Sequence, residues 1–94
     1  MNDVPASSRP GEPVRARLAL LVAQILGKPE AANTLPAEGS LSEMGMSSIK
    51  MVNLMLAVEG EFDLTIPQQD ITPENFRSLA SIEALLARLL SVAP

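Results

Sequence analysis

Three stretches of this chain place apolar residues at helical spacing, and no stretch alternates them in the manner of a strand. Val14, Leu18, Leu21, Val22 and Ile25 form the first set, Met51, Leu54, Met55, Val58 and Phe62 the second, and Leu79, Ile82, Leu85, Leu86 and Leu89 the third. With 94 residues there is room for one core only. The three faces must therefore pack on one another, and the chain reads as all-α. Apolar residues make up 47% of the chain and aromatic ones 2%, so that core is built from Leu, Ile, Val, Ala and Met, a mix that favours helices.

Punctuation sets the boundaries. Pro13 suits the first turn, and Gly27 the end, of a helix over roughly 13–26. A second helix starts near Ser47 or Ser48 and runs to about Phe62, with Ile66-Pro67 barring any continuation. The last begins at about Ser78, which can cap it, and ends near Leu90. Residues 27–42 carry Pro29, Asn33, Pro36, Gly39 and Ser40, with Leu35 and Leu41 as apolar anchors, and form a long connection. A short helical turn is expected near Pro73–Phe76. The expected architecture is thus a small four-helix bundle, three main helices plus one short helix, with a long loop between helices one and two. It occupies 13–91, while residues 1–12, with Pro5, Ser7, Ser8, Pro10 and Gly11, read as a disordered leader.

The missing residues restrict the chemistry. The chain has no His, Cys, Trp or Tyr, which removes cysteine nucleophiles, Ser-His-Asp triads, thiolate and imidazole metal sites and the usual neutral-pH general base. Glu59 with Glu61 or Asp63 makes a poor carboxylate pair, because residues two apart do not share a helix face. An enzyme acting on its own is therefore not expected. A net charge of −4 disfavours a phosphate-backbone binder. No apolar run reaches membrane-spanning length and the first residues do not form a secretory signal, so a soluble cytoplasmic protein is the expectation.

The second helix carries the functional information. At about 100° per residue its core stripe is the set given above, but Ile49, Val52 and Leu56 fall on a separate stripe more than a quarter-turn away. Either the turn near Phe76 covers this second stripe, or it is exposed and meets partners. Charge adds a rim: residues 43–76 hold Glu43, Glu59, Glu61, Asp63, Asp70 and Glu74 against Lys50 alone. The helix opens on Met44-Gly45-Met46-Ser47-Ser48-Ile49. Taken alone, the serines are cap residues, although free amides and the helix dipole would also favour a phosphate there.

Leu41 to Phe62, LSEMGMSSIKMVNLMLAVEGEF, followed by Ile66-Pro67, resembles the acyl carrier protein family. Gly45, Ser48, Ile49, Val52, Leu54, Glu59, Phe62, Ile66 and Pro67 fall on that family's pattern without a gap. The resemblance implies a four-helix bundle with phosphopantetheine, taken from coenzyme A, attached to Ser48. It implies transport and not catalysis, because the arm's terminal thiol holds an acyl or aminoacyl group as a thioester and supplies the thiol the chain lacks. The implied partners are a phosphopantetheinyl transferase, an acyl- or aminoacyl-loading ligase and downstream transfer enzymes, met by a monomer. The partner face takes in Ser47, Ile49, Lys50, Val52, Asn53, Leu56 and Glu59.

Departures from the pattern bear on specificity. Ser47 stands where the family has aspartate, and Lys50 and Asn53 occupy positions often acidic in the housekeeping fatty-acid carrier. Attraction to basic docking patches is weakened accordingly, which suggests a specialised carrier. Both fatty acyl and amino acid cargo remain open. Met44, Met46, Met51 and Met55 either line a cargo site or only fill gaps in the core. The rival reading is an unmodified helical adaptor that docks through the same strip and uses Ser48 only as a cap.

Overall fold

The computed structural model describes residues 14–91. The anticipated leader, along with Pro13, lies outside the described residues. Within them the chain forms α1 (Val14–Ile25), α2 (Ser48–Phe62) and α3 (Leu79–Ser91), with single 3-10 turns at Pro29–Ala31 and Gln68–Asp70 and no strand.

Each helix buries the stripe its spacing announces. Leu18 and Val22 of α1, Leu54 and Val58 of α2, and Ile82, Leu85 and Leu86 of α3 are shut off from solvent, and α1 packs against both other helices. Each such aliphatic side chain contributes about 1.5–3 kcal/mol on burial. Val14, Leu21 and Ile25 of α1, Met51 and Met55 of α2 and Leu89 of α3 sit half-buried at the edge of the cluster. Arg17 fastens α1 to the far end of α2. Its Nε donates to Glu61 Oε2 at 2.9 Å, a second guanidinium nitrogen donates to the Glu61 carbonyl at 2.9 Å, and the group lies 4.5 Å from the centre of the Phe62 ring. Arg15 pairs with Glu83 and ties α1 to α3.

The helix ends follow from local chemistry. Gly27 takes φ +80°, its N–H bonds the Gln24 carbonyl, and the Lys28 N–H reaches the Ala23 carbonyl, a Schellman termination that needs a residue free to enter the left-handed region. α2 stops earlier than Ile66-Pro67 requires. Asp63 turns left-handed at φ 54°, and the Leu64 N–H closes back on the Glu59 carbonyl. Aspartate tolerates that conformation better than most residues. At α3 the Ser81 N–H donates to Ser78 Oγ (3.1 Å) and the Ser78 N–H to Ser81 Oγ (3.0 Å), the reciprocal arrangement of a capping box with serine in the usual Glu place.

Two connecting segments complete the fold. The segment near Pro73–Phe76 is a turn and not a fourth α-helix. The Phe76 N–H bonds the Thr72 carbonyl and the Asn75 N–H bonds Thr72 Oγ1, which closes a single turn before the chain enters the Ser78 cap of α3. The connection between α1 and α2 runs from Leu26 to Ser47 and contains the 3-10 turn at Pro29–Ala31. It is held down, with Leu41 buried, the Leu41 N–H bonded to the Arg77 carbonyl (2.9 Å) and the Ala80 N–H bonded to the Ala37 carbonyl (2.9 Å). The Ala80 amide is one of the donors that the first turn of α3 leaves without an intrahelical acceptor, so the connection completes that helix start.

Candidate functional site

The start of α2 is built by Gly45, Met46 and Ser47. Gly45 takes φ +105°, a conformation that reverses the chain after the turn at Leu41–Gly45. Met46 is buried and anchors the entry. Ser47 adopts extended backbone angles and its Oγ accepts the Lys50 N–H at 3.2 Å, so Ser47 is the cap. Ser48 is the first helical residue. It is exposed, and among the described residues its hydroxyl makes no hydrogen bond. The cap role that the adaptor reading gave to Ser48 therefore belongs to its neighbour.

This arrangement fits a phosphodiester. A group carried on Ser48 Oγ would stand beside first-turn amides that have no intrahelical acceptor, at the positive end of the α2 dipole. Ser47 already supplies the cap, so substituting the Ser48 hydroxyl leaves the helix start intact.

A cleft of about 670 Å³ opens beside the two serines. One wall is α2, through Met51, Val52 and Met55, and the other is the segment Ile71–Arg77, with Ser40, Ser42 and Met46 completing the lining. Phe76 is buried at the bottom of that second wall and leaves the second apolar stripe uncovered. Ile49, Val52 and Leu56 are 75%, 53% and 61% exposed. Lys50 and Asn53 lie on the same helix, half-buried and exposed respectively.

Glu59 is occupied in a way the spacing did not announce. Its Oε2 accepts the Ile66 N–H at 2.8 Å and secures the turn after α2, while Glu61 is drawn into the Arg17 pair. The acidic rim is thus partly internal structure. Of the four methionines between residues 44 and 55, Met51 and Met55 line the cleft, Met46 is core and also reaches the cleft, and Met44 packs toward Gly39. Sequence reasoning missed the second wall, above all Arg77, because the acidic span was counted to residue 76 and stops one residue short of it. Among the described residues, no cluster of three or more His, Cys, Asp or Glu could hold a metal, and no helix is long and apolar enough to cross a membrane.

The phosphopantetheine attachment site family model matches residues 16–89. Aminoacyl carrier protein 1 of Bradyrhizobium diazoefficiens is 45% identical over 80 residues, which cover 85% of this chain and 89% of that protein. A crystal structure of Bradyrhizobium japonicum glycine:[carrier protein] ligase complexed with glycylated carrier protein matches with a TM-score of 0.64 and 46% identity, over 78% of this chain and 99% of that one. The solution structure of holo acyl carrier protein from Nitrosomonas europaea, at 24% identity, shares the fold with a TM-score of 0.75 over 82% of this chain and 95% of that one. This chain belongs to the phosphopantetheine attachment site family, a carrier protein that holds acyl or aminoacyl cargo on a phosphopantetheine arm and presents it to partner enzymes.

Proposed function

We propose that Ser48 bears the arm and that the cargo is a small amino acid. The observation that carries the first part is the division of labour at the start of α2, where Ser47 caps and the Ser48 hydroxyl is exposed and unengaged. In the attachment step Ser48 Oγ bonds to the pantetheine-side phosphorus of coenzyme A. The phosphoanhydride bond breaks, adenosine 3′,5′-bisphosphate departs, and the hydroxyl proton passes to a base of the transferase. Once attached, the arm supplies the thiol on which cargo is held as a thioester. The chain itself orients the attachment point and offers a surface to partners. With no His or Cys it is the vehicle, and the turnover belongs to the enzymes that load and unload it.

The amino acid assignment is supported by similarity to proteins named aminoacyl carriers and to a glycylated carrier held by its ligase. The partners are then a phosphopantetheinyl transferase, an ATP-dependent aminoacyl-loading ligase and a downstream transfer enzyme, met by a monomeric carrier in the cytoplasm, where coenzyme A and ATP are at hand. The carrier domain spans 13–91, and the Pro73–Phe76 turn takes the place of the short fourth helix of the bundle. Docking uses the exposed strip of Ile49, Val52 and Leu56, with Ser47, Lys50 and Asn53 beside it and Glu59 at its far end. A single cation and no carboxylate on the first turns of α2 suit an apolar partner surface better than a strongly basic one.

The test is a two-stage reaction. The protein is armed with coenzyme A and a broad-specificity transferase, then offered ATP, a glycine:[carrier protein] ligase and single amino acids. The expected product is a hydroxylamine-sensitive aminoacyl adduct that forms on the armed protein alone. An armed protein that accepts fatty acyl groups from an acyl-loading enzyme and no amino acid would overturn the cargo assignment.

A further inference from the structure

The cleft beside Ser48 contains one cation to which the attachment reaction gives no role. Arg77 lies on the second wall, exposed, and among the described residues it makes no ion pair and no side-chain hydrogen bond. The other described arginines are engaged: Arg15 with Glu83, Arg17 with Glu61, and Arg88 with Asn75. Glu74, a carboxylate on the same wall, forms no ion pair with it.

The backbone of Arg77 is fixed from both sides. Its carbonyl accepts the Leu41 N–H at 2.9 Å, Phe76 before it is buried in the core, and Ser78 after it caps α3. From that fixed base the side chain lines the same cleft that Ser48 lines. Its planar donors match the two non-bridging oxygens of a phosphodiester, which a lysine's point charge matches less well.

We propose that Arg77 is a positioning residue for the arm, the counter-charge that draws the Ser48-linked phosphodiester from the start of α2 toward the Ile71–Arg77 wall. This rests on the assignment of the arm to Ser48. The α2 amides and the Arg77 guanidinium then hold the phosphate from two directions. The pantetheine chain would lie in the cleft against Met51, Val52, Met55 and Ile71, and Ile49 and Leu56, which are outside that lining, would stay clear for docking. A partner that extracts the arm has to supply a cation of its own in exchange for Arg77.

The test compares apo and armed protein labelled with nitrogen-15, with the extent of arming read by intact mass. On arming, the Arg77 Nε–Hε resonance is expected to shift more than those of Arg15, Arg17 and Arg88, and the shift should shrink as salt is raised. In armed Arg77→Gln the phosphorus-31 resonance of the diester should move from its wild-type position, and Arg77→Lys should restore part of the difference. The apo forms of both variants should melt with the wild type, which separates positioning from folding. Complete Ser48-dependent arming with an unmoved Arg77 resonance, or an unmoved phosphorus resonance in Arg77→Gln, overturns the proposal and leaves the Ser48 assignment standing. Absence of any mass addition on Ser48 overturns both.

Discussion

Replacing Ser47 and Ser48 singly by alanine should split two properties that the sequence runs together. Ser47 Oγ accepts the Lys50 N–H at 3.2 Å, and losing a cap of this kind costs about 1 kcal/mol, within a range of about 0.5–2. Because Met46 is buried immediately before the cap, the chain entering α2 is fixed and cannot shift to recruit a substitute acceptor. In a domain of this size 1 kcal/mol lowers the melting temperature by about 4–8 °C. Ser48 occupies the first helical position with its hydroxyl unused, so Ser48→Ala should lie between no change and a gain of about 0.5 kcal/mol from alanine's higher helix propensity. Urea unfolding followed by circular dichroism measures both, and the exchange rate of the Lys50 amide reports the cap directly, rising in Ser47→Ala alone. Equal destabilisation by the two variants, or a neutral Ser47→Ala, would refute the assignment of the cap to Ser47 and with it the argument that the Ser48 hydroxyl is spare.

Other outcomes follow from the same geometry. Val52→Asp and Leu56→Asp, at exposed positions, should shift stability by less than about 0.5 kcal/mol and yet impair arming or loading, whereas global unfolding of both would place the strip in the core. Leu54→Ala, two residues from Leu56 but fully buried, should cost about 2–5 kcal/mol in the same denaturation assay. Arg17→Ala removes a bond to the Glu61 carboxylate, one to its carbonyl and the contact with Phe62. It should cost about 1–3 kcal/mol, and a neutral result would mean that this fastening is cosmetic.

What could be read from the sequence was what periodicity encodes. Leu18, Leu54 and Ile82 stand on stripes that close on each other, and Ile49, Val52 and Leu56 stand off the stripe and are exposed for that reason. Gly27 and Ser78 could be read as helix terminators because each does its work within four residues of itself. Contacts set by the tertiary path were hidden. The Glu59 carboxylate looked like a rim charge until the turn after α2 brought the Ile66 amide to it. The end of α2 near Phe62 was legible, but the left-handed turn of Asp63 that terminates it was not. At Pro73–Phe76, where a short helical turn was expected, Thr72 caps a single turn. Of the two adjacent serines, local pattern makes either a cap. Only the backbone angles and the bond from Lys50 assign the role to Ser47.

The central claim is tested most directly by the intact mass of wild type, Ser47→Ala and Ser48→Ala, each before and after incubation with coenzyme A, magnesium and a broad-specificity phosphopantetheinyl transferase. The account predicts a single phosphopantetheine on the wild type and on Ser47→Ala and none on a folded Ser48→Ala. Addition to Ser48→Ala, or loss of addition in Ser47→Ala with Ser48 intact, would contradict it.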